Sequence, residues 1–153
     1  MNYATTISVT FLAPRIQVFN ELINLKDYPL WNAGMISISQ DGVMAEGLKF
    51  ESRSIAMGRE INAVVSVMRL TPYEHIELSN NSGPIAYSAK YHLTETNNTT
   101  TVVCTLQFEL KGFALNIAHS AVESMAAARI TGDLEALRAL ITAKYPNIAP
   151  APE

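Results

Sequence analysis

Chemistry in this chain would have to come from three histidines, one cysteine, scattered serines, and tyrosines and amides set on strand patterns. His75, His92 and His119 fall on a strand start, a strand and a long helix. None has an acidic or second histidine partner at a metal-ligand spacing, so no metal site is expected. His119 opens the helix that would roof a cavity, whereas His92 alternates with Tyr91 and faces outward if Tyr91 faces in. Ser52 and Ser54 share one face of a strand, but no serine occupies the Gly-x-Ser-x-Gly turn that exposes a nucleophile. No glycine-rich dinucleotide fingerprint and no phosphate-binding lysine loop is present, and the expected cofactor set is none. Cys104 is the single cysteine, which excludes an internal disulfide and, inside a strand pattern, reads as a small buried hydrophobe. Arg129 and Asp133 stand four apart on the long helix and are expected to form a modest surface ion pair worth ~0.5 kcal/mol.

The elements that must position these groups follow from periodicity. A β-branched and aromatic run over 6–12 predicts a strand, ended by Ala13-Pro14. Ile16, Val18, Phe19, Leu22 and Ile23 then recur at helical spacing over 14–24, giving an amphipathic helix with a buried stripe, and a short helical turn follows over 26–31. Strands are predicted over 36–40, 48–57, 61–70, 75–80, 85–94 and 100–110, joined by short Gly-, Pro- and Asn-rich turns that suit antiparallel neighbours. The last of these puts Val102, Cys104, Leu106, Phe108 and Leu110 on one continuous apolar face. In 61–70 both faces are apolar, Val65 and Val67 on one and Val64 and Met68 on the other, so the inward face stays open.

An alanine-rich helix over 115–144 is the longest element. Its C-terminal half aligns Ile130, Leu134, Leu137 and Ile141, while Ala118, Val122, Met125 and Ala126 form a second stripe offset by about a quarter turn. Gly132 lies at the change, and predicts a bend or a close approach to the sheet. Strands grouped together in sequence exclude the alternating pattern of a parallel-sheet enzyme and favour an α+β fold, with helices covering one face of a curved sheet.

Length and composition bound the class of protein. The 153 residues suit one domain, expected over 1–146, followed by a proline-containing tail at 147–153. Apolar residues make up 48% and charged residues 16%, which excludes disorder and points to an apolar cavity or an interface. A net charge of −3 with no basic cluster excludes a nucleic-acid surface. The start lacks a basic, apolar leader and no apolar run reaches the ~20 residues of a membrane span, so the expectation is a cytoplasmic protein without membrane insertion.

The chain resembles the START-like superfamily, in particular its polyketide cyclase/dehydrase branch with the helix-grip fold. The resemblance rests on Ile7-Ser8-Val9-Thr10-Phe11 with Ala13-Pro14 and Val18-Phe19, on Asp27-Tyr28-Pro29-Leu30-Trp31, and on Gly47-Leu48-Lys49-Phe50. It continues through Leu70-Thr71-Pro72, Tyr91-His92-Leu93 with Thr99-Thr100-Thr101-Val102, and Gly132-Asp133-Leu134-Glu135-Ala136-Leu137-Arg138. It implies a seven-stranded antiparallel sheet wrapped around the C-terminal helix, with two short helices between strands 1 and 2 and a pocket between sheet and helix. Small residues on the first half of the helix, Ala118, Ala121, Ala126, Ala127 and Ala128, lead independently to such a cavity, because they leave room.

The expected lining is Trp31, Phe50, Val65, Leu78, Asn80, Tyr87, Tyr91, Leu106, Phe108, Phe113, Val122 and Met125. An apolar small molecule, whether lipid, aromatic or polyketide-like, is the expected partner. Two alternatives stand beside this reading. The same cavity could host a cyclase or dehydrase, with Tyr87, Tyr91 or His119 moving a proton, or it could be filled by its own side chains while the spare apolar surface forms a homodimer or meets another chain.

Overall fold

The computed structural model describes residues 2–56, 58–112, 115 and 118–146; the expected tail at 147–153 and the expected lining residue Phe113 lie outside the described residues. The alternating strand patterns become β1 (Asn2–Phe11), β2 (Met35–Ile38), β3 (Lys49–Ala56), β4 (Arg59–Thr71), β5 (His75–Asn80), β6 (Ile85–Thr96) and β7 (Thr99–Leu110), and the helical patterns become α1 (Arg15–Leu22), α2 (Tyr28–Trp31) and α3 (His119–Lys144). The strands form one sheet in the order β1-β7-β6-β5-β4-β3-β2, and every neighbouring pair is antiparallel. The α+β architecture expected from the grouped strands is therefore present. β1 starts four residues before the expected position because its polar first half pairs with β7, from Asn2 opposite Glu109 to Phe11 opposite Thr100. Backbone pairing of this kind leaves no apolar signature in sequence.

β4 settles its open question through burial. Ile61, Val65 and Val67 turn inward, while Val64 and Met68 are 43% and 58% exposed on the outer face. Register shifts between Val67 and Arg69 where β4 pairs with β5, and beyond the shift Leu70 packs against the core. A bulge of this kind bends a strand and adds twist, which curves the sheet towards α3.

α1 starts at the extended Pro14, and the carboxylate of Glu95 accepts the Arg15 backbone N–H at 2.6 Å, satisfying one of the orphan donors of the first turn. The buried stripe is narrower than the spacing predicts: Val18, Phe19 and Leu22 are buried, but Ile16 is 48% exposed. The main core joins these residues to Val9, Phe11, Ile76, Leu93 and Val102 of the sheet and to Ile130, Leu134, Leu137 and Ile141 of α3. A smaller cluster of Phe108, Leu110 and Val122 sits apart from it. α3 runs continuously through Gly132, which is exposed, and a Cβ there would meet nothing within 4 Å. The expected close approach at Gly132 is therefore absent.

The C-terminal end of α3 is held by charge. Lys144 reaches Glu21 at 2.9 Å and also bonds Asp27, while Arg138 donates to the Thr10 carbonyl at 3.1 Å. At the other end the ring of His119 bonds the Tyr3 hydroxyl, and Glu123 accepts the Ala4 N–H at 3.1 Å. Both ends of α3 are thus pinned to the β1 side of the molecule.

Candidate functional site

Between the two pinned ends, the alanine-rich half of α3 spans the sheet without filling the space beneath it. There a cavity of about 460 Å³ opens, within the usual range for small-molecule sites. Its walls come from the ends of β3, β5 and β7, the starts of β4 and β6, and the α2–β2 connection, with Val122, Met125, Ala126, Arg129, Ile130 and Asp133 of α3 as the roof. The other half of the sheet faces Leu134, Leu137 and Ile141 in the main core, with a smaller cavity of about 150 Å³ beside Phe11 and Ile141. Ile55 and Met125, each 50% exposed, mark the side of the cavity open to solvent.

Eight of the expected lining residues face this space: Leu78, Asn80, Tyr87, Tyr91, Leu106, Phe108, Val122 and Met125. Trp31, Phe50 and Val65 do not. Each is 2% exposed and belongs to the packed core. Tyr28 stands in an edge-on contact with both Trp31 and Phe50, at 4.8 and 6.3 Å between ring centres, and it is Tyr28 that meets the cavity in their place. His119 also lies outside the lining; it is exposed, its ring stacks 5.9 Å from that of Tyr3, and it closes the latch between β1 and α3. Ser52 and Ser54, found on one strand face by sequence, both line the cavity.

Asn80 reaches the wall but is consumed by its own turn. Its amide donates to the carbonyls of Ser82 and Ile85 at 3.0 and 2.9 Å, and its oxygen accepts from the Ser82 N–H and hydroxyl at 2.9 and 2.7 Å. Asn80 therefore fixes the β5–β6 turn and offers a ligand little. Tyr87 is different. Desolvation pushes its phenol up to about 12, the positive charge of Arg129 opposes this, and no described residue hydrogen-bonds the hydroxyl. Burial likewise raises Tyr28 and Tyr91, so all three phenols stay protonated at neutral pH. The Cys104 thiol is buried and pushed up to about 12 by desolvation, which suits the inert structural cysteine expected.

The residues that sequence reasoning missed are Arg129 and Asp133 as a pair inside the site. The expected ion pair forms, with Arg129 exposed and Asp133 buried, and it stands at the solvent-facing corner of the cavity. Asp133 is 9% exposed; its Oδ1 accepts the Ala33 N–H at 2.9 Å and its Oδ2 accepts Arg129 Nε at 3.3 Å. Arg129 Nη2 donates to Asn32 Oδ1 at 3.0 Å. Desolvation raises the Asp133 carboxyl, against the lowering effect of its bonds to Ala33 and Arg129. Gly34 completes the corner: its φ is +79°, and a Cβ there would lie 2.5 Å from the Ile55 carbonyl oxygen. Only glycine lets this loop pass so close to the Ile55 carbonyl. The spacing of Arg129 and Asp133 was visible in sequence, but the burial of Asp133 depends on a loop a hundred residues away.

No family model matches the chain, and no curated protein sequence does. Solved structures do. A START superfamily protein from Mycobacterium smegmatis is 13% identical over 92% of this chain and 97% of its own, with a TM-score of 0.76. The Zhui aromatase/cyclase from Streptomyces sp. R1128 is 15% identical over 92% and 94%, with a TM-score of 0.73. Ara h 8.0201 is 13% identical over 94% and 99%, with a TM-score of 0.71. The chain has the START-like, helix-grip fold. At such identities the likeness establishes the fold and leaves the function to the site.

Proposed function

We propose that this protein binds an apolar small molecule in the cavity between the sheet and the first half of α3. The observation that carries the reading is the division of α3: one half buries large aliphatic side chains, and the other spans an open, mainly apolar space in which the Tyr87 hydroxyl has no partner among the described residues. A large apolar hollow forgoes packing that this core achieves elsewhere, and a ligand restores the lost contacts. Small-molecule sites of this kind join an apolar wall to a few polar groups that orient the guest. Tyr28, Tyr87, Tyr91 and the Arg129–Asp133 corner supply those groups.

The same fold in an aromatase/cyclase supports a second reading, catalysis on the bound molecule. Tyr87 and Tyr91, held protonated by burial, would act as hydrogen-bond donors to an oxygen gaining negative charge and not as bases.

Native mass spectrometry of freshly purified protein, followed by denaturation and organic extraction, tests the binding reading. The expected result is a reproducible apolar companion, or an empty protein that takes up one equivalent of Nile red saturably. An empty protein that binds no such probe would overturn it.

A further inference from the structure

Among the described residues of the lining, Arg129 and Asp133 are the two that carry charge. They meet at 3.3 Å, and Arg129 spends a second nitrogen on Asn32 at 3.0 Å. The Asp133 carboxylate is further committed to the Ala33 N–H at 2.9 Å. The rest of the polar lining is uncharged: the phenols of Tyr28, Tyr87 and Tyr91, the hydroxyls of Ser52 and Ser54, and the amides of Asn32 and Asn80.

We infer that Asp133 sets the charge of the guest: by pairing with Arg129 it leaves the cavity without net positive charge, so the site prefers uncharged molecules bearing hydroxyl or carbonyl oxygen over carboxylates. This rests on the binding reading above. A carboxylate entering an apolar cavity loses its hydration and needs a compensating partner, for which a two-pronged arginine is the best-suited side chain. Arg129 is the one lining cation among the described residues; its Nε is turned to Asp133 and its Nη2 to Asn32, and the Asp133 carboxylate beside it balances its charge. The Asp133 carboxylate adds like-charge repulsion. An uncharged oxygen meets no such penalty, and it finds the Tyr87 hydroxyl ready to donate or accept.

The proposal also states how to convert the site. Asp133→Asn keeps an oxygen to accept the Ala33 N–H, so the loop stays in place, but it releases Arg129 to pair with an incoming anion. A hydrogen bond to a charged group strengthens binding by about ten- to a hundredfold.

The experiment titrates the full chain at neutral pH with 2-naphthol and with 2-naphthoate, which share one ring system, and follows binding by NMR. The wild type is expected to prefer 2-naphthol by at least about tenfold. In Asp133→Asn, 2-naphthoate is expected to gain about tenfold or more while 2-naphthol stays within about twofold, and the double variant carrying Arg129→Gln as well should lose that gain. A wild type that binds 2-naphthoate as tightly as 2-naphthol overturns the inference, as does a folded Asp133→Asn that binds 2-naphthol and gains nothing for 2-naphthoate. Should Asp133→Asn not fold, the wild-type ratio decides. Failure of both naphthalenes to bind would instead remove the cavity reading itself, and this inference with it.

Discussion

At the scale of single residues, the unengaged hydroxyl of Tyr87 separates binding from stability. It touches the cavity and bonds to none of the described residues, so removing it costs the empty fold no hydrogen bond. Tyr87→Phe should therefore leave the melting temperature almost unchanged and weaken 2-naphthol about three- to tenfold in calorimetry, the worth of one neutral hydrogen bond. Gly34 behaves in the opposite way. With φ at +79° and the Ile55 carbonyl 2.5 Å from where a Cβ would sit, Gly34→Ala must move the loop that carries Asn32 and Ala33. That change should destabilise the fold by about 1–3 kcal/mol in chemical denaturation and loosen the Arg129–Asp133 corner with it. Residue types in this corner were legible in sequence, but their joint placement was not. Arg129 and Asp133 four apart on a helix announce an ion pair, but only the contacts from Asn32 and Ala33 place it at the cavity with Asp133 buried. Trp31, Phe50 and Val65 failed as lining for a similar reason. Strand alternation says which side chains face inward, but not which part of the inner face the helix fills.

At the scale of elements, α3 carries two functions along one helix, and its two halves should answer substitution differently. Leu137, fully buried in the packed half, should cost about 2–5 kcal/mol when changed to alanine, with no direct effect on a ligand it does not touch. Ala126 lines the cavity beside Phe108, Leu110 and Val122, so Ala126→Leu extends that cluster into the open space. That variant should lose Nile red and 2-naphthol binding by about tenfold or more, with stability unchanged or raised, since added apolar burial contributes about 0.8 kcal/mol per methylene group. Equal binding by Ala126→Leu and the wild type would place the guest elsewhere. This division was readable in advance: the run of alanines followed by Ile130, Leu134, Leu137 and Ile141 announces a helix that packs at one end and spans at the other. Gly132 interrupts neither the helix nor its packing: α3 is continuous there and a Cβ would meet nothing within 4 Å.

At the scale of the whole molecule, the charged clasp at the end of α3 links stability to pH. Hydrogen bonding to Lys144 holds the Asp27 carboxyl below its ordinary value, so Asp27 stabilises the fold above the ordinary carboxylate range, and this is lost as pH falls through its lowered value. Lys144 is raised, chiefly by Asp27 and then Glu21; its contribution is complete below the ordinary lysine value and is lost as pH rises through the raised one. Glu21 runs the other way. Burial raises its carboxyl, so the native state holds a proton longer than the unfolded chain, and stability declines as pH rises through that raised value. Lys144→Met should cost about 1–3 kcal/mol at neutral pH, by leaving the buried Glu21 without its cation, a figure kept low because Lys144 is partly exposed. The penalty should shrink in acid as Glu21 and then Asp27 take up protons, which urea denaturation at a series of pH values would reveal. No helix among the described residues is long and apolar enough to cross a membrane. The order of strands and helices was legible along nearly the whole chain, since turns and alternation mark each strand, and the START-like fold followed from the resemblance. The start of β1 was not, because edge pairing with β7 relies on backbone groups every sequence has.

The cavity under the first half of α3 is the centre of this account, and one measurement addresses it most directly. Amide and methyl NMR shifts of the full chain would be followed during titration with 2-naphthol. The account predicts saturable shifts gathered on Leu78, Tyr87, Leu106, Val122, Ala126 and Ile130, with Leu134, Leu137 and Ile141 left nearly still. Shifts confined to the outer face of the sheet, or none at saturating probe, would contradict it.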